Sequence, residues 1–198
     1  MRKVALLPVL LAAAWSFAAA ADAPSGKLDA AAVTSMTASW PDVTKEVIKK
    51  TIAKYGAPHE ATASMLVWHN NAPWKRTIIY KQSVPHDFPM AHVDVMQQFI
   101  DFRVKPDKYD DMAQYDGSVV LERTNGEMSA RCDKEEANFL AINLAHDVAH
   151  GKKTPAAARK FYADAIKQSM AGTMPPYMQK LQFSVPSANT ADKDMPTK

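Results

Sequence analysis

Asn125-Gly126 lies between two short runs, residues 119–123 and 128–132, in which apolar and polar side chains alternate. A two-residue type I′ turn needs positive φ at both central positions, and Asn-Gly meets that need at little cost. Such a turn fixes a pairing. Thr124 faces Glu127, Arg123 faces Met128, Leu121 faces Ala130 and Val119 faces Cys132. Strand side chains alternate between faces, so Val119, Leu121, Met128, Ala130 and Cys132 share one, which is read as the buried face.

A second hairpin is expected upstream. Met65, Leu66, Val67 and Trp68 precede the turn Asn70-Asn71-Ala72-Pro73, and Thr77, Ile78, Ile79 and Tyr80 follow it. β-branched and aromatic runs on either side of a polar turn read as paired strands. Residues 83–92 hold two prolines and read as an ordered loop. Residues 93–104 fit a helix in their first half and a strand in their second, and at least the second half is taken as a strand.

The helices have clearer punctuation. Val43, Val47, Ile48, Thr51, Ile52 and Tyr55 recur at helical spacing, with Gly56 as the stop and Pro58 beyond it. Pro106 opens a short helix through Tyr109, Met112 and Tyr115. Asp133 with Glu136 forms a capping-box pattern before a nearly all-apolar helix that ends at His150-Gly151. Thr154-Pro155 starts another, carrying Phe161, Tyr162 and Ile166. Together these elements specify an α+β fold: an antiparallel sheet built from two hairpins plus one further strand, with helices packed on one face.

The chain has 198 residues. Arg2 and Lys3, the apolar run that follows and the alanines at 18–21 form a secretory signal peptide over residues 1–21. Residues 22–38 read as a flexible leader, 39–184 as a single globular domain and 185–198 as a disordered tail. Export to the periplasm or the extracellular space is expected, with a bacterial periplasm favoured. The formal charge of +3 falls to about +1 once Arg2 and Lys3 leave. That balance gives no electrostatic case for nucleic acid. After cleavage no segment is long and apolar enough to span a bilayer. Cys132 is the sole cysteine, so no internal disulfide can form and the fold must stand on its core.

The sharpest chemical pattern is His146-Asp147-Val148-Ala149-His150. Residues i and i+4 share one helix face, and two imidazoles at that spacing can hold one metal. A further ligand would come from the 83–92 loop, with His86, Asp87 and His92 as candidates. The four histidines His146, His150, His86 and His92 thus define a possible Zn or Cu site. A hydrolase of the His-Glu-x-x-His type would need Glu where Asp147 stands. His150 can equally serve only to satisfy the last carbonyls of its helix. Cys132 precedes a helix N-terminus and follows Arg131, which favours a reactive thiolate. Its position on the buried face favours an inert core thiol instead. Met170, Met174 and Met178 recur every four residues, but Pro175 and Pro176 prevent one helix from aligning them for copper.

Trp68, Trp74 and Arg76 crowd one turn and form a candidate binding surface, since Trp and Arg are enriched at recognition hot spots. They serve equally well as core anchors, with Arg76 over an indole. No glycine-rich phosphate loop, Gly-x-Ser-x-Gly elbow or haem-attachment motif occurs. Two functions remain: a non-catalytic binding or interaction module, or a metal-dependent protein, with a hydrolase among its forms. The only cofactor the residues suggest is a divalent metal.

Overall fold

The computed structural model describes residues 26–197, so the segment read as a signal peptide lies outside the described residues. In chain order these form α1 (Ala30–Met36), α2 (Asp42–Tyr55), β1 (Glu60–Ala61), β2 (Met65–His69), β3 (Arg76–His86) and β4 (His92–Asp101). A 3₁₀ turn (Pro106–Lys108), α3 (Tyr109–Tyr115), β5 (Val119–Glu122), β6 (Glu127–Cys132), α4 (Glu135–Ala149), α5 (Pro155–Met170) and α6 (Pro176–Gln179) follow. The strands make one antiparallel sheet in the order β1-β2-β3-β4-β6-β5. The fold is α+β, and β4 is the further strand that joins the two expected hairpins. No helix among the described residues is long and apolar enough to cross a membrane.

β4 is strand through the half that also suited a helix, because β3 pairs with it from His92 to Phe99 and β6 from Met96 to Asp101, while Phe102–Val104, expected as strand, lie beyond its end. Five consecutive residues, Asp94 to Gln98, are buried. A strand covered on both faces loses the period-two alternation by which sequence reading recognises strands. β3 in turn runs through part of the expected 83–92 loop. Between Ile79 and Val84 its register with β4 shifts, and beyond the irregularity Pro85 pairs with Val93 and His86 with His92. Only residues 87–91 remain as the connection.

The β5–β6 register departs from expectation by two residues. Leu121 pairs with Met128 and Val119 with Ala130. A shift of two preserves the face, so the expected buried set still points one way. The loop has four residues, 123–126, and among the glycines and non-glycines of that loop only Gly126 takes a positive φ, 70°. The loop's polar groups are engaged elsewhere. The Gly126 carbonyl accepts from the Phe102 amide at 2.8 Å and from the Thr190 hydroxyl at 2.7 Å. A Cβ on Gly126 would lie 2.3 Å from the Thr190 carbonyl. Residues 185–197, read as a disordered tail, carry no helix or strand, yet Thr190 is buried at this turn. The stretch read as a flexible leader contains α1, capped by Asp29 and anchored by buried Val33.

Two apolar clusters form the core. Val47 and Ile48 of α2 pack with Leu66, Trp68, Ile79 and Met96 of the sheet. Leu140 and Leu144 of α4 pack with Ile100, Met128 and Ala130, and with Tyr115 and Tyr162 from α3 and α5. Each fully buried leucine is worth roughly 1.5–3 kcal/mol of transfer free energy. Tyr55 touches both clusters. The expected capping box does not form. The N-cap of α4 is Lys134, with no side-chain cap, and Glu136 is exposed. Glu135 turns inward instead, accepting from Lys54 and Tyr55 of α2, from Trp74 Nε1 at 2.6 Å and from Gln98 at 3.2 Å.

Candidate metal centre

His86 ends β3 and His92 opens β4, and they are direct partners across the sheet. Their ring centroids are 4.9 Å apart. Asp94 lies two residues beyond His92 and points to the same side, as strand geometry requires. One donor atom from each of His86, His92 and Asp94 lies within 4.8 Å of the other two. Asp94 is only 5% exposed. Its Oδ2 accepts the Ser118 hydroxyl proton. Its Oδ1 is buried and faces His92 Nε2 at 3.3 Å.

The proton positions follow from which neighbours can only accept. His92 Nδ1 lies 2.9 Å from the Met90 carbonyl, so Nδ1 carries a proton and donates it. Nε2 is then the nitrogen turned toward Asp94. Metal-binding imidazoles are commonly oriented this way, with the second N–H held by a carbonyl. Ser118 spends its single proton on Asp94, so the 3.1 Å contact between Ser118 Oγ and His86 Nδ1 needs a proton on His86 Nδ1; that nitrogen also stands 3.5 Å from Asp94 Oδ2, and a metal bound there would displace its proton. His86 Nε2 faces Asp116 Oδ1 at 3.8 Å. Asp116 also accepts the Ser118 amide at 2.8 Å, so the Asp116-Gly117-Ser118 turn before β5 builds the back of the site. Burial raises the Asp116 carboxyl above its ordinary range.

The Asp94 carboxylate, followed by the Cys132 sulfur, favours a protonated His92 and pushes it up to about 11. Without metal, His92 is an imidazolium held against Asp94. A metal ion would replace the Nε2 proton and use the same two groups. Cys132 ends β6 and is 4% exposed. Burial lifts its thiol above the usual value in spite of the His92 charge. It sits in the core, as its face implies, but with His92 as a neighbour.

The expected four-histidine set is divided. His146 and His150 do meet on one face of α4, with ring centroids 4.2 Å apart. They lie outside the convergent set of His86, His92 and Asp94. His92 lines a cavity with Cys132, Lys134 and Ala137 at the start of α4. His146 is eleven residues beyond Glu135, about 16 Å along the helix axis. The α4 pair has local work. His146 stacks on Phe183 at 4.0 Å, and His150 Nδ1 sits 2.8 Å from the His146 carbonyl. Burial, then the neighbouring His150, lowers the His146 pKa. Asp147, where a hydrolase base was considered, is held by Lys153 and Tyr177 at 2.9 Å each.

The expected aromatic surface is also corrected. Trp68 is 0% and Trp74 1% exposed. A buried indole N–H needs an acceptor. Trp68 finds the Gly56 carbonyl at 2.9 Å and Trp74 finds Glu135, while Trp74 also stacks on Phe139 at 4.8 Å. Arg76 lies 3.9 Å over Phe99, not over an indole, and pairs with Glu127 at 2.9 Å. The two indoles are core anchors. Sequence reading missed Asp94, Asp116 and Ser118. The His92-x-Asp94 spacing was the available signal for the first, and it becomes visible once 92–94 is read as strand.

No protein-family model, curated protein or solved structure matches the chain.

Proposed function

We propose that this chain binds one divalent transition-metal ion through His86, His92 and Asp94. The observation that carries the reading is the convergence of three donor atoms at the buried Asp94 carboxylate. Metal bonds of about 2.0–2.2 Å to nitrogen and oxygen in a tetrahedral site place ligand atoms about 3.4 Å apart. Donors within 4.8 Å of one another reach that spacing by small side-chain rotations. Two imidazoles with one carboxylate suit Zn²⁺ or Cu²⁺ better than Mg²⁺ or Ca²⁺. The sequence favours an interaction module using the Trp68–Arg76 turn and the 83–92 loop; the burial of both indoles removes the aromatic part of that surface. The reading takes the chain as exported, on the strength of the positive, apolar and small-residue pattern at its N-terminus.

Titration of the purified, metal-stripped chain with Zn²⁺ tests the assignment. One equivalent is expected to bind. His92→Ala and Asp94→Asn each remove a ligand and abolish stoichiometric uptake, while His146→Ala and His150→Ala leave it intact. Loss of uptake in the α4 variants but not in His92→Ala would contradict the assignment, as would no stoichiometric uptake by the unaltered chain.

A further inference from the structure

We infer that a metal held by His86, His92 and Asp94 keeps a coordination position open toward the cavity between α4 and α5. That position would take a small organic carboxylate with an apolar body. The inference rests on the metal-binding reading and adds what the metal receives.

Three protein donors leave a tetrahedral ion one place for an outside ligand, the arrangement of catalytic rather than structural sites. The two imidazoles of the site have different surroundings. On the His86 side, Ser118 and Asp116 contact the ring, and Phe88 lies beside it with Arg159 stacked 3.8 Å from its own ring. On the His92 side there is a cavity of about 360 Å³. His92 and Cys132 contribute to its lining, Met90, Tyr162 and Ile166 supply apolar surface, and Lys134 and Asp133 add one charge of each sign. That volume falls within the range of small-molecule sites, about 300–1,000 Å³.

Cys132 is the internal competitor for the open place. Its sulfur neighbours His92, yet it does not belong to the set whose donor atoms converge. It therefore remains part of the wall. A divalent ion with one carboxylate ligand keeps a net positive charge, and the Lys134 and Asp133 charges in the lining offset each other. An anionic donor with an apolar body answers both the charge and the lining.

Cobalt makes the test visible. The purified chain is loaded with Co²⁺ and titrated with azide, phenylacetate and phenylacetamide while the visible d–d absorption is followed. Azide and phenylacetate are expected to shift the spectrum, and phenylacetamide to bind weaker by roughly tenfold or more. Ile166→Trp fills the cavity and should weaken phenylacetate by roughly tenfold or more while Co²⁺ uptake is unchanged. Ala137→Leu, which narrows the same cavity from α4, serves if Ile166→Trp does not fold. A Co²⁺ spectrum indifferent to both anions would overturn the inference and leave the metal reading standing. So would an intense sulfur-to-cobalt band that disappears in Cys132→Ser, because Cys132 would then hold the fourth place. Equal binding of phenylacetate and phenylacetamide, or undiminished phenylacetate binding in the filled-cavity variant, also overturns it. Failure to take up Co²⁺ at all defeats the metal reading, and this inference with it.

Discussion

Asp94 carries its carboxylate in the interior, and its two oxygens have unequal surroundings. Oδ2 has the Ser118 hydroxyl, and Oδ1 has His92 Nε2 at 3.3 Å. Ser118→Ala would take away the hydroxyl donor and leave Oδ2 short. An unmet buried acceptor costs about 1–3 kcal/mol, so the metal-free variant should unfold at lower urea by that amount. Zn²⁺ binds the folded state and stabilises it by mass action. Saturating Zn²⁺ should therefore recover part of the loss, which urea titrations with and without the metal would show. A variant as stable as the parent in both conditions would mean that Ser118 does not support Asp94.

Glu135 does at the scale of elements what Asp94 does at the scale of the site. It joins α2, the β2–β3 turn, β4 and α4 through Lys54, Tyr55, Trp74 and Gln98. Burial alone would raise its carboxyl, but the donors from Lys54, Tyr55 and Trp74 outweigh burial and hold it below its ordinary value of 4.5. A carboxyl depressed by folding adds stability above its unfolded value, and that stability is lost as pH falls through the folded value. Stability should therefore drop below about pH 4.5. Glu135→Gln should weaken the fold at neutral pH by about 1.5–3 kcal/mol, the scale of a hydrogen bond to a charged group. It should also flatten the acid-side slope in urea titrations between pH 3 and 7. An unchanged slope would place the acid sensitivity elsewhere. The capping pattern drew attention to Glu136, one residue away, because a cap is a local device readable within four positions. Glu135's donors stand 37 to 81 residues off in sequence, and no local pattern announces them. The same distinction separates α2 and α5 from β3. Gly56 and Thr154-Pro155 mark the helices on the spot. The extension of β3 across Val84 and Pro85 exists only because β4 pairs with it.

For the whole molecule, hairpin turns and helix stops were enough to specify an α+β architecture, and the face of the β5–β6 hairpin survived a two-residue change in register. The site was legible only in part. The sequence singles out His86 and His92, but as loop residues reaching toward His146 and His150, whereas they pair across β3 and β4 and converge with Asp94 instead. The four-histidine set failed because i,i+4 spacing describes one helix face and says nothing about what the fold brings opposite it. Export belongs to the whole chain as well. Sequencing of the N-terminus of the native protein should find a mature chain that begins near Ala21, and retention of Met1 would contradict the signal reading. The central claim, however, is the metal. Crystals of the chain soaked in Zn²⁺ and measured at the zinc absorption edge test it most directly. A single anomalous peak is predicted about 2.0–2.2 Å from one nitrogen each of His86 and His92 and from an oxygen of Asp94. A peak between His146 and His150, or no peak at all, would contradict it.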